Sequence, residues 1–334
     1  MSEQTKIAWC DSTVNFWEGC TKISAGCANC YAEARDKRFT GGIYWRLGRR
    51  RKSKSAVKAA LALNRKPWIC DVCSGDSDLH YDHSCTGKPE DACHTANVSW
   101  HRRRIFSLSL GDWLDDEVPI AWLTEMLDTI RQCDQVTWIL CTKRPENFKE
   151  RIARAINHVT TTPCTGEAFK HIQWMQGWVS GNRIPQNITV LTSVENQAMA
   201  DARIPELLKI PAACRGLSLE PLLGLVDLNH VRRDLTAPLS WYIIGGESGP
   251  NSRPCNVDWI RSLVEQGKAA GVATFVKQLG AYPVIEFNDK NPLPTAVIVK
   301  EYAGKLTAYF SDKKGGNPAE WPADLRVQEW PKGF

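Results

Sequence analysis

The stretch TVNFWEGCTKISAGCANCY, residues 13–31, joins a predicted β strand to a predicted helix through a loop that holds three cysteines. Its first five residues favour a strand, and the segment CYAEARDKRF, residues 30–39, is a plausible helix. Six further strands are predicted at residues 105–110, 136–141, 188–194, 215–219, 241–244 and 273–277. Most of them are largely apolar, as expected of parallel strands that are buried on both faces.

Helical patterns alternate with these strands. Pro119 opens one helical segment and Pro145 another, and a third runs from about Asp258 to Gly271. The alternation indicates βα units and predicts an α/β fold built as a complete or partial (β/α) barrel. A doubly wound open sheet is the alternative, because periodicity does not say whether a parallel sheet closes.

Two segments interrupt this alternation of strands and helices, and the alternation stops after residue 280. We predict a barrel-like catalytic domain at residues 1–63 and 105–280, interrupted by a Cys/His-rich insertion at 64–104 and a loop insertion at 158–187. Residues 281–334 are predicted to form a small hairpin and a polar tail. The hairpin strands are residues 296–302 and 306–310, joined around Gly304.

The composition narrows the class of protein. The 334 residues are 43% hydrophobic and 24% charged, which excludes wholesale disorder and a fibrous architecture. No apolar run approaches the roughly 18 to 20 residues that span a bilayer, and the N-terminal sequence lacks the apolar core of a signal peptide. We therefore expect a cytoplasmic protein without a membrane partner. Its thirteen cysteines then indicate metal binding or chemistry, since disulfides do not persist in a reducing compartment.

Three of the cysteines, Cys20, Cys27 and Cys30, lie in one loop with the spacing C-x6-C-x2-C. Three thiolates can ligate three irons of a [4Fe-4S] cluster and leave the fourth iron without a protein ligand. A closed zinc site with Cys10 as the fourth ligand explains the spacing equally well. Unligated buried cysteines are a further alternative.

The insertion at residues 64–104 contains a second group of metal-ligand residues. A CxxC pair and two further cysteines within about 25 residues are typical of a small zinc-binding module. An auxiliary iron-sulfur cluster and unligated thiols are the alternatives to zinc. The cysteines are Cys70, Cys73, Cys85 and Cys93, and the histidines near them are His80, His83 and His94.

Charged residues follow most of the predicted strands. The carboxyl ends of parallel strands meet at one edge of the sheet, so these side chains are expected to converge on one mouth. Glu195, Glu220 and Glu247 are spaced by 25 and 27 residues, about one βα repeat each. The alternative for each residue is a helix cap or an ion pair with a neighbour. The full set is Asp112, Lys143, Glu195, Glu220, Glu247 and Lys277.

The formal net charge of +5 is too small to indicate nucleic-acid binding by itself, but two basic segments are dense. Contact with phosphate and a solvated basic face are both compatible with them. The segments are Arg46, Arg49, Arg50, Arg51, Lys52 and Lys54, and the triplet Arg102, Arg103 and Arg104.

Seven motifs, taken in their order, strongly resemble a phage- and prophage-associated three-cysteine family of uncharacterised proteins. That family is similar to radical S-adenosylmethionine enzymes. The motifs are TKIAWCDSTVNFWEGCTKISAGCANCYAE (5–33), SLGDW (109–113), CTKRPE (141–146), SVENQ (193–197), LSLEPLLG (217–224), GGESGPNSRP (245–254) and FVKQLG (275–280).

The resemblance implies a radical-enzyme barrel in which Cys20, Cys27 and Cys30 carry a [4Fe-4S] cluster and S-adenosylmethionine binds the open iron. One electron, from a donor of the flavodoxin or ferredoxin type, then releases a 5'-deoxyadenosyl radical that abstracts hydrogen from the substrate. This loop departs from the usual C-x3-C-x2-C spacing. Asn29 also takes the place of the usual aromatic residue before the last cysteine, and Tyr31 follows that cysteine instead.

The same resemblance implies roles for the charged residues at the strand ends. Lys143, Glu195, Glu220, Glu247 and Lys277 are expected to hold the substrate and the polar groups of S-adenosylmethionine. Asp112 follows the second strand, where enzymes of this type bind the amino group of the cofactor. Apart from the resemblance, Gly245 and Gly246 are expected to admit a ligand close to the backbone, because glycine has no side chain.

The basic segments, the cysteine-rich insertion and the phage association favour a nucleobase in DNA or RNA as the substrate. A zinc-stabilised nucleic-acid-binding or adaptor protein without radical chemistry is the alternative function. The sequence leaves open whether a neighbouring partner protein is required.

Overall fold

The computed structural model describes residues 4–70, 100–161, 166–229, 238–285, 298–302 and 305–334. The strands, in chain order, are β1 Ser12–Val14, β2 Trp17–Glu18, β3 Arg51–Lys52, β4 Trp68–Cys70, β5 Trp100–Arg102, β6 Arg104–Ser107, β7 Thr137–Thr142, β8 Ile188–Ser193, β9 Cys214–Leu219, β10 Trp241–Gly245, β11 Cys255–Asn256, β12 Ala273–Gln278, β13 Pro283–Val284, β14 Ile298–Tyr302 and β15 Lys305–Tyr309. The α helices are α1 Tyr31–Thr40, α2 Ala56–Asn64, α3 Ile120–Gln132, α4 Phe148–Thr160, α5 Gly166–Ser180, α6 Gln197–Leu208 and α7 Val257–Ala270.

Seven strands form one curled parallel sheet, a half-barrel, in the order β1-β6-β7-β8-β9-β10-β12. Each new strand is added to the same edge as the chain advances, whereas the strand order of a doubly wound sheet reverses at a switch point. The two outermost strands, β1 and β12, do not pair with each other in the described ranges. The predicted α/β fold is therefore confirmed as a partial barrel rather than a closed or doubly wound one.

The first predicted strand, residues 13–17, is divided between two sheets. β1 pairs with β6 in the half-barrel, whereas β2 pairs with β3 in a separate two-stranded sheet. Between them, the side-chain oxygen of Asn15 accepts a hydrogen bond of 2.9 Å from the backbone N–H of Leu110. This side-chain contact takes the place of a strand-to-strand bond and ends β1 early.

Alternate residues of the half-barrel strands pack on opposite faces, as the two-residue repeat of a strand requires. Leu140 of β7 and Val190 of β8 belong to the main hydrophobic core with the helices, and they are fully buried. Their neighbours Ile139 and Leu191 belong to a second cluster on the inner face. The inner cluster is completed by residues from both ends of the chain, among them Trp9, Trp330 and Phe334.

The C-terminal segment covers the outer edge of β12. The N–H of Val276 donates to the carbonyl of Val327 at 2.8 Å, and the N–H of Glu329 donates to the carbonyl of Thr274 at 2.9 Å. Because a free strand edge is a template for aggregation, this pairing protects the open side of the half-barrel.

Several helix boundaries follow signals that can be read in the sequence. Pro119 precedes α3, and the side chain of Asn256 caps α7 by accepting the N–H of Asp258 at 2.9 Å. Gly271 ends α7 with a φ of 65°, a left-handed conformation that glycine adopts at little cost. The predicted end of this helix is confirmed.

The segment predicted as a loop insertion at residues 158–187 contains α5. This helix buries Ile172, Met175 and Trp178, and the indole of Trp178 stacks on that of Trp113 with ring centres 6.1 Å apart. The loop prediction was wrong here because three buried side chains, spaced by three residues, are enough to dock a helix although half of its remaining residues are polar or charged.

The C-terminal hairpin is confirmed. β14 and β15 pair antiparallel, and they join β11 and β13 in a four-stranded sheet of order β11-β13-β15-β14. The Cys/His-rich insertion leaves and returns through the antiparallel pair β4 and β5, in which Cys70 lies opposite Trp100. The remaining predicted ligands of the second metal site, Cys73, Cys85 and Cys93, lie outside the described residues.

The described helices include none with the length and apolar character needed to cross a membrane.

Candidate functional site

The three-cysteine loop lies between β2 and α1, at the carboxyl edge of the half-barrel. Gly19, which precedes the first cysteine, donates a backbone hydrogen bond of 3.0 Å to the carbonyl of Leu110 beyond the end of β6. Cys27 ends a short 3-10 turn, and Cys30 directly precedes the first residue of α1. All three cysteines are free, and as whole residues they are partly exposed.

The surroundings of Cys20 and Cys30 raise the pKa of both thiols. Burial and the nearby Asp112 raise the pKa of Cys20 to about 12, although a guanidinium nitrogen of Arg144 lies 3.7 Å from its sulfur. Burial also raises the pKa of Cys30, against the opposing effect of backbone N–H groups in the first turn of α1. A bound cation would reverse this preference, because metals bind the thiolate form.

Glu195 holds the middle of the cysteine loop. Its side chain is fully buried and accepts a hydrogen bond of 3.2 Å from the backbone N–H of Gly26 and one of 2.8 Å from Arg203. Burial alone raises the pKa of this carboxyl, but Lys143, Ser24 and Arg203 outweigh burial and lower the pKa. The carboxylate is therefore charged, and as an anion it binds the backbone N–H of Gly26 in the loop.

Glu247 holds the second half of the loop. Arg253 forms an ion pair of 2.6 Å with one of its oxygens, and the side-chain amide of Asn29 donates to the other oxygen at 3.0 Å. Arg253 also donates to the carbonyl of Ala25 at 2.9 Å. Burial opposes ionisation of Glu247, yet the hydrogen bonds from Arg253 and Asn29 lower its pKa.

Asp112 and Arg144 connect the loop to β7. The carboxylate of Asp112 accepts hydrogen bonds from the hydroxyl of Thr142, the backbone N–H groups of Leu114 and Lys143, and Arg144, all between 2.7 and 3.0 Å. The same arginine donates to the carbonyl of Thr21 at 2.8 Å. Both oxygens of Asp112 are thus engaged by the protein itself.

Glu220 and Lys277 form a different kind of pair. Their side chains meet at 2.6 Å, and they keep 19% and 23% of their surface exposed. Neither of these side chains has a hydrogen bond to the cysteine loop among the described residues. This pair is therefore accessible to a ligand, unlike the three carboxylates that hold the loop.

Lys143 and Tyr31 add polar groups near the same mouth. The ammonium group of Lys143 makes no hydrogen bond or ion pair within the described ranges, although its charge lowers the pKa of Cys30 and Glu195. Tyr31 is 58% exposed, and its hydroxyl donates to the carbonyl of Ser109. These groups can contact a bound molecule without breaking a structural ion pair.

The glycines Gly245 and Gly246 have a packing role. A Cβ atom at Gly246 would lie 2.3 Å from the carbonyl oxygen of Leu279 and 2.9 Å from the Cα of Gly280. At Gly245, a Cβ would lie 3.2 Å from Cγ of Gln278. The close backbone approach at Gly246 is thus to the neighbouring strand end, and its predicted contact with a ligand stays a prediction.

Among the described residues, the structure groups no fourth cysteine with the loop. Cys10 is buried in the inner-face cluster beside Trp9 and Trp241. In the described part of the chain, no three His, Cys, Asp or Glu side chains are close enough to hold a single metal ion. The zinc site completed by Cys10 therefore has no support from this arrangement.

The two basic segments differ in accessibility. Arg103 and Arg104 are buried, and Arg104 pairs with Asp11 at 2.9 Å, so phosphate contact by the whole triplet is not compatible with the fold. Arg102 is exposed. In the other segment, Arg50 is buried in an ion pair of 2.7 Å with Asp115, whereas most of its neighbours are exposed.

Four side chains of the site escaped sequence reasoning: Asn29, Arg144, Arg203 and Arg253. Arg144 and Arg253 belong to the motifs CTKRPE and GGESGPNSRP, but no spacing rule connects them with the cysteine loop. Asn29 donates to Glu247, which is 218 residues further along the chain. Only the folded chain brings such partners together.

A family model described as "Protein of unknown function (DUF5131)" matches residues 4–309. No significant match was found among the curated proteins or among the solved structures.

Proposed function

We propose that this chain, which belongs to the DUF5131 family of proteins of unknown function, is a radical S-adenosylmethionine-type enzyme. Cys20, Cys27 and Cys30 are the proposed ligands of a [4Fe-4S] cluster, on a partial barrel of the radical-enzyme type. The proposed substrate is a nucleobase in DNA or RNA. An electron donor of the flavodoxin or ferredoxin type and a cytoplasmic location belong to the same proposal, and a neighbouring partner protein is compatible with it.

The observation that carries the proposal is the way the loop is held. Three buried carboxylates, Asp112, Glu195 and Glu247, fasten the loop to the half-barrel directly or through an arginine. Burying three charged carboxylates with their arginines is costly and needs near-complete pairing. We infer that this pairing fixes the loop, and with it the three cysteines, in one arrangement.

The donor set fits an iron-sulfur cluster better than a mononuclear site. Each iron of a four-iron cluster takes its own thiolate, so the three sulfurs do not need to meet at a single ion. The first turn of α1 directs backbone N–H groups toward the thiol of Cys30, and Arg144 approaches the sulfur of Cys20. Both contacts favour the thiolate form that iron requires.

Cys20, Cys27 and Cys30 would hold the cluster, which with bound S-adenosylmethionine would pass one electron from the donor to the sulfonium. Cleavage of the sulfonium C–S bond would give methionine and a 5'-deoxyadenosyl radical for hydrogen abstraction from the substrate. We assign the binding of polar ligand groups to Glu220, Lys277 and Lys143, because these side chains are accessible at the mouth. Glu195, Glu247 and Asp112, predicted from the sequence as ligand contacts, are assigned to positioning the loop.

The insertion is proposed to bind zinc through Cys70, Cys73, Cys85 and Cys93, with an auxiliary iron-sulfur cluster as the alternative. The alternative function is a zinc-stabilised nucleic-acid-binding or adaptor protein, which the exposed basic residues favour.

Anaerobic metal analysis separates the two functions. We expect brown protein with absorbance near roughly 400 nm and about four irons per chain for one cluster. Reductant-dependent release of 5'-deoxyadenosine from S-adenosylmethionine tests the reaction class. A colourless protein that contains only zinc would support the adaptor function instead.

Two cysteine variants test the ligand assignment. Cys27→Ala is expected to abolish iron binding and to spare the zinc of the insertion. Cys214→Ala is the matched control, because Cys214 lies at the start of β9 rather than in the loop. Retention of iron in Cys27→Ala, or its loss in Cys214→Ala, contradicts the assignment.

A further inference from the structure

Positive charge is concentrated around the cysteine loop. Residues 21–55 contain ten basic side chains and only two acidic ones, Glu33 and Asp36, a formal charge of +8 in a chain whose total is +5. The rest of the protein is therefore net negative. The basic side chains are Lys22, Arg35, Lys37, Arg38, Arg46, Arg49, Arg50, Arg51, Lys52 and Lys54.

Nine of these ten side chains lie on α1 and on residues 41–54, which together we call the basic lip, and Lys22 lies in the cysteine loop. The lip packs directly on Gly19, the residue before the first cysteine of the loop: a Cβ atom at Gly19 would lie 2.3 Å from the carbonyl oxygen of Tyr44 and 3.2 Å from that of Arg49. At its other end, α1 starts with Tyr31, directly after Cys30. The lip thus borders the mouth of the half-barrel.

Some of the basic side chains support the fold. Arg50 is paired with Asp115 and Glu117, Lys52 with Glu125, and Lys22 and Lys37 with Glu33. Arg35 and Arg51 pair with Glu18. The remaining four are exposed and form no ion pair within the described residues. These available cations are Arg38, Arg46, Arg49 and Lys54.

An exposed aromatic ring lies beside one of these cations, Arg38. Phe39 keeps 68% of its surface exposed, and the guanidinium groups of Arg35 and Arg38 lie 5.5 and 5.4 Å from the centre of its ring. Leu47, on the same lip, is 82% exposed. Cations beside an exposed aromatic ring are the combination with which proteins bind the phosphates and bases of a single strand.

We propose that the basic lip binds a single strand of nucleic acid, with phosphates on Arg38, Arg46 and Arg49 and one base stacked on Phe39. The strand then leads to the mouth beside the cysteine loop, so this inference rests on the proposed function and adds that the nucleic acid is single-stranded and which surface holds it. An acidic protein would complement the arginines equally well, but its carboxylates would not stack on the ring of Phe39.

The test is fluorescence anisotropy with fluorescein-labelled 20-nucleotide single strands of DNA and of RNA, between 50 and 200 mM salt. The triple variant R38A/R46A/R49A is expected to bind at least tenfold more weakly and to make the slope of log K against log salt shallower by about 2, at roughly 0.7 per lost phosphate contact. Phe39→Ala is expected to weaken binding roughly 5- to 100-fold with little change in slope. Phe39→Trp should retain binding.

The control variant K149A/R154A/K268A removes the same total charge from exposed positions on α4 and α7. It should bind within about twofold of the unmodified protein. Equal losses in the two triple variants would show that only net charge matters and would overturn the proposal. Poly-L-glutamate that competes as well as the oligonucleotide, with no effect of Phe39→Ala, would overturn it in favour of an acidic protein.

Iron is measured in the same preparations, and Cys27→Ala is tested for binding. Strand binding without iron would contradict the proposed cluster and leave the lip intact. Iron without strand binding would contradict the lip alone.

Discussion

Gly26 and Glu195 lie 169 residues apart in the chain and are joined by a hydrogen bond of 3.2 Å from the backbone N–H of Gly26 to the carboxylate of Glu195. The carboxylate is in turn held by Arg203 at 2.8 Å. A residue in the middle of the cysteine loop therefore rests on a buried ion pair that follows β8. The position of the loop depends on these tertiary contacts as much as on its own sequence.

Gly26→Ala tests this relationship. The new Cβ would lie 2.9 Å from Cδ of Glu195, which cannot move freely because Arg203 holds it. We expect a loss of about 1–3 kcal/mol in the free energy of unfolding and less iron per chain. Urea denaturation and iron analysis measure the two effects. Gly166→Ala is the control, since a Cβ there meets open space, and equal behaviour of the two variants would contradict the contact.

The free energy of unfolding should depend on pH through Glu195 and Glu247. Their pKa values are lowered in the folded protein from the ordinary value of 4.5, so the unfolded chain binds protons first as the pH falls. Stability is therefore fully present above about pH 4.5 and is lost below it. Glu195→Gln should be less stable by about 3 kcal/mol at pH 7 because Arg203 loses its partner. The difference between the two proteins should shrink on acidification, as followed by urea denaturation at each pH, and a constant difference would count against the ion pair.

A proline scan tests the cover of β12 by the C-terminal segment. Glu329→Pro removes the N–H that donates to Thr274 and should lower the free energy of unfolding by about 1–3 kcal/mol. Gln328→Pro is the control, because it keeps both backbone bonds of this pairing and loses only the 3.3 Å bond from its side-chain amide to the carbonyl of Val276. Thermal unfolding with light scattering measures stability and aggregation. Equal effects of both prolines would show that the pairing is not specific.

Lys277→Met tests the accessible ion pair with Glu220. A partly exposed pair contributes at most about 1 kcal/mol, so the variant should fold and keep its iron. If Lys277 binds a ligand as proposed, release of 5'-deoxyadenosine should fall at least tenfold. Lys268→Met, at an exposed position near the end of α7, is the control. Full activity in Lys277→Met would remove this residue from the proposed site.

Much of the half-barrel was predictable from the sequence. All seven predicted strands take part in the sheet, and their ends differ from the prediction mainly by one to three residues. Strand 13–17 was only half right, since the break at Asn15 depends on a side-chain bond to Leu110. Helix α5 was missed because its buried face becomes apparent only when Trp178 meets Trp113.

The sequence did not show which of the charged residues at the strand ends hold the cysteine loop and which can bind a ligand. The spacing of Glu195, Glu220 and Glu247 predicted that all three lie at the carboxyl edge of the sheet. In the structure, Glu195 and Glu247 bind the cysteine loop. Glu220 pairs with Lys277 instead. The difference depends on the arginines Arg203 and Arg253, whose long side chains reach partners that no periodic pattern identifies.

The sequence by itself determined the alternation of strands and helices and the presence of three cysteines in one loop after the first strand, because these features depend on residue types at short spacing. Only the tertiary structure decided that the barrel stays half open and that Cys10 lies away from the loop. It also decided which carboxylates bind other groups of the protein and which stay accessible to a ligand. Those outcomes depend on which distant side chains come within hydrogen-bond distance, and that distance exists only once the chain has folded.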